Sequence, residues 1–211
     1  NDSYEFFRIE GLQEYRPGTD QVEGDWRGGA FLLVAGAIDG NLKINGLSNK
    51  SSQSDMAVLK ALMDAGADLK ISGNSIEVSR SALKAFEFDA TDSPDLFPPL
   101  VALASYCKGV SSIKGVSRLL HKESNRAAAL SEEFGKMNIK TEIRNDCFHI
   151  TGGKVTGARV NSHEDHRIAM AAAVAALGAE GTVYIKDSHC VAKSYPGFFD
   201  DIKKAGAMVH E

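Results

Sequence analysis

Cysteine, charge of one sign and long apolar runs are all scarce in this chain, and each scarcity removes a class of protein. The three cysteines, Cys107, Cys147 and Cys190, lie far apart with no CxxC pair, so neither a disulfide framework nor a zinc site is indicated. The longest nearly pure apolar run, Ile168 to Ala179, has 12 residues, short of the ~18 that suggest a membrane-spanning helix. Lys and Arg number 24 against 28 Asp and Glu, a net charge of −4. The chain as a whole is therefore not built to hold a polyanion, and any anion site must be local. The aromatic residues are scattered and form no stacking platform for nucleic acid. What is present, 43% apolar and 25% charged residues over 211 positions, is the balance of a globular protein of one large or two small domains. The chain opens on Asn1 rather than Met and stops at Glu211 just after a helical pattern. A piece of a longer protein is expected.

Three segments of the chain read alike. Gln21-Val22-Glu23, Phe88-Asp89 and Val160-Asn161 each begin a stretch that runs through an Asp into a small-residue apolar run, then a Gly and an alternating strand. The three aspartates, Asp25, Asp95 and Asp165, are 70 residues apart in both intervals, a register that composition alone would not keep. The second half of each unit repeats as well. Segments starting at Met56, Ala127 and Phe198 place apolar residues at helical spacing and then turn into a strand. Two of them end in a further strand, Ser75–Ser79 and Cys147–Thr151. The unit is β-α-β-α-β-β. The first helix of each unit is apolar nearly all round and must be buried on every side, whereas the strands alternate as in sheets with one wet face. Helices inside and sheets outside is the expected α/β architecture.

Asp25, Asp95 and Asp165 stand where helix N-caps are expected, and Ser124 is the candidate cap of the second helix in the middle unit. Basic residues gather at the same starts: Arg27 and Arg167 two positions after their Asp, Lys122 and Arg126 around Ser124, and Lys193 before Ser194-Tyr195-Pro196. A cation at a helix N-terminus opposes the macrodipole by ~0.3–1 kcal/mol. One case means little; several in equivalent places point to a bound anion, held by free N–H groups and basic side chains. These starts share one end of the domain, which is expected to be positive. Two carboxylates, Asp95 and Glu123, stand beside the cations and can accept or donate a proton. Other motifs fail. His163-Glu164-Asp165-His166 is one residue short of H-E-x-x-H, so no metal is expected. Gly152-Gly153-Lys154 lacks the ending of a phosphate-binding loop and reads as a hairpin turn. The polar loop Ser51 to Asp55 reads as a helix cap. No cofactor is indicated.

Five blocks, Pro17-Gly18-Thr19-Asp20-Gln21-Val22-Glu23-Gly24-Asp25, Ser93-Pro94-Asp95, Lys122-Glu123-Ser124-Asn125-Arg126, Asp165-His166-Arg167-Ile168-Ala169-Met170 and Ala192-Lys193-Ser194-Tyr195-Pro196, resemble the C-terminal half of the EPSP synthase (3-phosphoshikimate 1-carboxyvinyltransferase) family. The resemblance covers nearly the whole chain in the family's order. It implies an enolpyruvyl transferase-like inside-out barrel domain of three units, about 19–80, 86–152 and 158–211. Residues 1–18 would be the end of the N-terminal domain and a crossover linker, and 19–211 the C-terminal domain, without an N-terminal strand that normally completes it. The implied reaction moves the enolpyruvyl group of phosphoenolpyruvate to the 5-hydroxyl of shikimate-3-phosphate, in the cytoplasm, with neither cofactor, metal, nucleic acid nor membrane as partner.

Carried over by motif, Asp95 is the base on the hydroxyl and a shikimate-3-phosphate ligand, and Glu123 is the proton donor. Arg126, Arg167 and Lys193 grip phosphoenolpyruvate, Lys122 touches the shikimate side and His166 is a polar neighbour. Arg118 is unassigned. Asn125 replaces a common Asp, and Glu164 stands where Asn is frequent. The family's N-terminal Lys-Ser-x-x-x-Arg segment does not occur in the chain, so the missing N-terminal domain is the implied partner and this half is expected to be inactive alone. Two other readings remain at this level: the related transferase acting on UDP-N-acetylglucosamine, which uses a cysteine on the other domain, and a non-catalytic anion-binding module on the same repeats.

Overall fold

The computed structural model describes residues 5–120 and 122–210. Three helices with almost no polar surface fill its centre. They are α1 (Trp26–Asp39), α3 (Phe97–Ser105) and α5 (His166–Ala176). All nine residues of α3 are buried, as are His166 through Ala175 of α5. The three helices pack on one another, which is the only way a helix without a polar face leaves water. Small residues permit close approach to the sheets: a Cβ added at Gly36 of α1 would lie 2.5 Å from Val78 Cγ1. Phe31, Phe97, Phe134, Phe148 and Phe198 are fully buried, each worth roughly 1.5–3 kcal/mol of transfer free energy.

Three sheets cover these helices. The first unit supplies β1 (Asn41–Asn45), α2 (Val58–Asp64), β2 (Asp68–Ser72) and β3 (Ser75–Ser79), with strands ordered β1-β3-β2. The second supplies β4 (Glu87–Asp89), β5 (Val110–Lys114), α4 (Arg126–Lys136), β6 (Lys140–Arg144) and β7 (Cys147–Thr151), ordered β4-β5-β7-β6. The third supplies β8 (Arg159–Asn161), β9 (Tyr184–Lys186) and α6 (Phe198–Lys204), with β8 paired to β9. Equivalent pairs match in sense and register: β4 and β8 run parallel to β5 and β9, while β3 and β7 lie antiparallel between their neighbours. The middle unit is the complete β-α-β-α-β-β. Tyr195 and the start of α6 return to the first unit, where Tyr195 packs on Gly28 and Phe198 meets Phe31 edge-on.

Four expectations are corrected. Gln21-Val22-Glu23 form no strand; residues 5–23 are exposed and carry neither helix nor strand. The parallel ladder that leads the other units survives as one bond, Gly24 N–H to the Gly46 carbonyl at 3.1 Å. Glu23 is instead drawn aside by Ser51 and Gln53, which donate to its carboxylate. The strand expected over Ala207 to Val209 is also absent among residues 205–210. Its equivalents β2 and β6 are held only by the strand that follows each of them, and no such strand follows among the described residues. Residues 152–158 cross between two sheets rather than turning a hairpin, since β7 and β8 are not partners. Gln53, not a side-chain cap, starts the turn Ser54–Ala57, and its amide oxygen accepts from the Trp26 N–H instead. Asn1 to Tyr4 of the expected linker, His121 and Glu211 lie outside the described residues.

Candidate active site

The three repeats point their helix starts at one end of the domain, and the motif residues meet there. Asp25 caps α1 by accepting from the N–H groups of Arg27 and Gly28, and Asp165 caps α5 by accepting from Arg167 N–H. Asp95 breaks the pattern. It sits in a 3₁₀ turn, Pro94–Leu96, and caps nothing. The Phe97 N–H, at the position where Asp25 and Asp165 each find one, donates to the Pro94 carbonyl, and Pro98 at the next position has no N–H to offer. Freed from capping, the Asp95 carboxylate reaches four cations: Arg126 Nη1 at 2.8 Å, Arg167 Nη2 at 3.0 Å, Lys122 Nζ at 3.4 Å and Arg27 Nε at 3.5 Å.

Arg126, the first residue of α4, is fully buried and gives its guanidinium to three carboxylates. Nε donates to Asp165 Oδ2 at 2.8 Å, Nη1 to Asp95 and Nη2 to Glu123. Arg167 repeats two of these contacts, Nη2 on Asp95 and Nη1 on Glu123 Oε1 at 3.2 Å. Two guanidinium groups and two carboxylates thus close a square in which each acid touches both bases. Asn125 rather than Ser124 caps α4, because the helix begins one residue later than the motif suggests; the Ser124 hydroxyl donates to Asp165 Oδ2 instead.

Burial and charge oppose each other here. Burial pushes the Asp95 carboxyl up, but Arg167, Lys122 and Arg126 outweigh it and hold its pKa below the ordinary value. Asp165 behaves likewise: burial raises it, Arg126 and the Arg167 N–H more than reverse this, and it stays ionised. Burial would strip the proton from Arg126, but Asp165, Glu123 and Asp95 hold it on. The Arg167 pKa is lowered, by burial first and by the Arg126 charge in addition. His166 is lowered by burial and then by Arg167. Both its ring nitrogens are buried without a hydrogen-bond partner among the described residues, and Nδ1 lies 3.9 Å from Glu123 Oε1.

Asp95, Lys122, Glu123, Arg126, His166 and Arg167 are therefore one contiguous cluster. Lys193 stands apart from the square. It is exposed and donates to the Glu164 carbonyl at 2.9 Å, one residue before Asp165. At the end expected to be positive, the two buried arginines are paired with carboxylates. Two members were not assigned from the sequence. Arg27, half exposed, lies 3.5 Å from both Asp55 and Asp95; its mirror position to Arg167, two residues after a capping Asp, was the available signal. Asp55 is buried with Oδ1 unpartnered among the described residues, and burial raises its pKa. Nothing in its polar loop marked it. The metal-like grouping among the described residues, Glu132, Glu133 and His163, lies outside this square, and the Lys136 ammonium already sits on both oxygens of Glu133.

A family model described as EPSP synthase (3-phosphoshikimate 1-carboxyvinyltransferase) matches residues 1–202. The 3-phosphoshikimate 1-carboxyvinyltransferase of Thermococcus kodakarensis is 40% identical over 203 residues, 94% of this chain and 51% of its own length. That of Clostridioides difficile is 37% identical over 213 residues, 100% of this chain and 49% of its own length. The chain spans about half the length of the curated relatives it matches. Among solved structures, EPSP synthase from Acinetobacter baumannii aligns with a TM-score of 0.78 and 29% identity over 88% of this chain and 46% of that one. The enolpyruvyl transferase NikO from Streptomyces tendae, 20% identical with a TM-score of 0.72 over 90% of this chain and 44% of its own, shares the fold. Among the described residues no helix is long and apolar enough to cross a membrane.

Proposed function

The chain belongs to the EPSP synthase (3-phosphoshikimate 1-carboxyvinyltransferase) family, and from that premise we propose that it is the C-terminal half of a cytoplasmic enzyme that transfers the enolpyruvyl group of phosphoenolpyruvate to the 5-hydroxyl of shikimate-3-phosphate. Residues 19–211 form the C-terminal domain, residues 1–18 lead in from the N-terminal domain, and the substrates bind between the two. The observation that carries the reading is the square: two carboxylates able to move protons are held by two guanidinium groups able to hold a phosphate and a carboxylate.

The chemistry follows from what the reaction needs. Glu123 delivers a proton to the methylene carbon of phosphoenolpyruvate, which leaves the adjacent carbon electron-poor. The 5-hydroxyl oxygen bonds to that carbon as Asp95 takes its proton, giving a tetrahedral adduct. Loss of phosphate, with return of a proton from the new methyl group, regenerates the enol ether on the acceptor. Arg126, Arg167 and Lys193 hold the negative groups of phosphoenolpyruvate, Lys122 binds on the acceptor side, and His166, kept neutral by burial and by Arg167, packs beside Glu123 without adding charge. Phosphoenolpyruvate must displace carboxylates from Arg126 and Arg167, so its arrival frees Asp95 and Glu123 for proton transfer. Charge-assisted, bidentate contacts of arginine with phosphate suit that exchange.

Half of the groups that fix the reactants are proposed to come from the other domain, and orientation accounts for effective molarities of ~10⁵ M or more. This chain alone is therefore expected to bind phosphate weakly and to show no turnover. Co-expression with the N-terminal half should restore release of inorganic phosphate from phosphoenolpyruvate, dependent on shikimate-3-phosphate. Turnover with UDP-N-acetylglucosamine instead would reassign the acceptor, and full turnover by the lone chain would move the active site elsewhere.

A further inference from the structure

Another buried carboxylate lies two turns along α4 from Arg126, on the same face of the helix, and takes no part in the chemistry above. Glu133 is fully buried. Oε2 accepts from the Asn161 N–H at 2.9 Å, Oε1 meets His163 Nε2 at 2.7 Å, and the Lys136 ammonium lies 2.9 Å from both oxygens. Burial raises its pKa, but Lys136, the Asn161 N–H and His163 more than offset this, so it is ionised. Its partners at Asn161 and His163 belong to the turn between β8 and α5. That turn holds two consecutive non-glycine residues in the left-handed region, His163 at φ 53 and Glu164 at φ 55. Such residues cost of order 1–3 kcal/mol each and persist only where their surroundings over-determine them. The turn's own bonds, His163 N–H to Asn161 Oδ1 and Glu164 N–H to Ser162 Oγ, are local. Ser162 ties it to the end of β9, its N–H donating to the Lys186 carbonyl at 3.2 Å and its hydroxyl to the Asp187 carbonyl at 3.1 Å, and Glu133 ties it to α4.

The turn leads directly into the site. The Glu164 carbonyl accepts from Lys193 Nζ, Asp165 holds Arg126, and Arg167 completes the square. We infer that Glu133 is a positioning residue: by clamping the strained 161–164 turn to α4 it sets where Lys193, Asp165 and Arg167 stand relative to Arg126, and so the fit of the phosphoenolpyruvate subsite. Arg126 and Glu133 then fix one helix to the same partner segment at two points, which leaves that segment no freedom to rotate. This rests on the enolpyruvyl transfer reading only for the identity of the anion; the clamp itself is geometric.

The test uses the chain together with its N-terminal half. Glu133→Ala should raise KM for phosphoenolpyruvate by roughly tenfold, the scale of one lost charge-assisted contact, with kcat and KM for shikimate-3-phosphate within about threefold of the parent. A crystal structure of the variant should show the Glu164 carbonyl withdrawn from Lys193. Adding Glu164→Gly, which occupies that φ without strain, should bring KM back toward the parent value, and urea-free assay conditions in which each variant is shown folded by circular dichroism separate this from a general loss of stability. His163→Ala removes one strut from a half-exposed side chain and should move KM the same way by less; it keeps the inference testable if Glu133→Ala does not fold. Unchanged KM in both single variants, or a turn still in place in the crystal structure, overturns the inference. A parent protein without turnover whose Glu133→Ala variant still displaces the turn supports the clamp and rejects the proposed reaction instead.

Discussion

Arg126 and Asp165, 39 residues apart in sequence, meet as a fully buried ion pair with Nε 2.8 Å from Oδ2. The pair joins the start of α4 to the cap of α5. Removing one member of such a pair costs about 3–5 kcal/mol, because the other is left buried and uncompensated. Arg126→Ala should therefore destabilise the chain by about that amount in urea unfolding. Arg126→Ala combined with Asp165→Asn, which preserves the cap, should lose distinctly less. Equal losses in the single and double variants would show that the pair is not what stabilises this junction.

The square predicts opposite effects on catalysis and binding. Asp95→Asn and Glu123→Gln each remove a proton-transfer group, an effect typically worth ~10²–10⁴-fold in turnover. Each also withdraws a carboxylate that competes for Arg126 and Arg167. Calorimetry should find phosphoenolpyruvate or inorganic phosphate bound at least as tightly by these variants as by the parent, while Arg167→Ala weakens binding. Weaker anion binding in Asp95→Asn would mean that Asp95 contributes to the anion site rather than opposing it.

Stability should fall in two stages as the pH is lowered. The His166 pKa is depressed below its ordinary 6.5 by burial and by Arg167. Below that ordinary value the unfolded chain takes up a proton that folded His166 refuses, so stability present at neutral pH erodes as the pH drops through the window beneath about 6.5. Asp165 and Asp95 titrate below their ordinary 3.8 because their arginine partners outweigh burial. Their contribution is present above that value and is lost as the pH falls through their folded values. Urea midpoints measured from pH 8 to pH 3 should show both stages, and His166→Gln should flatten the upper one alone.

Chemical character along the chain was enough to determine the repeat. A helix such as Phe97–Ser105 or His166–Ala176 has no polar side and can only be interior, and strands that alternate can only be a cover. Those properties are local, so the sequence displays them directly, including the 70-residue spacing of Asp25, Asp95 and Asp165. The motif blocks likewise named six of the residues that the structure gathers into one cluster.

The tertiary structure decided what those residues do to one another. Asp95 looks like its two repeat-mates in sequence, yet the Phe97 N–H goes to the Pro94 carbonyl and Pro98 has no N–H to cap, and only the folded positions of α4 and α5 determine that it is caught by two arginines. The pairs Asp95 makes in the site span 31 residues to Arg126 and 72 to Arg167, and the Glu133 clamp spans 28 to Asn161. Partnership over such distances depends on how three sheets close around three helices. Charge pairing falls off within a few ångströms when solvent screens it and strengthens when burial removes that solvent; both separation and burial are properties of the closed domain, and no stretch of the chain carries them by itself.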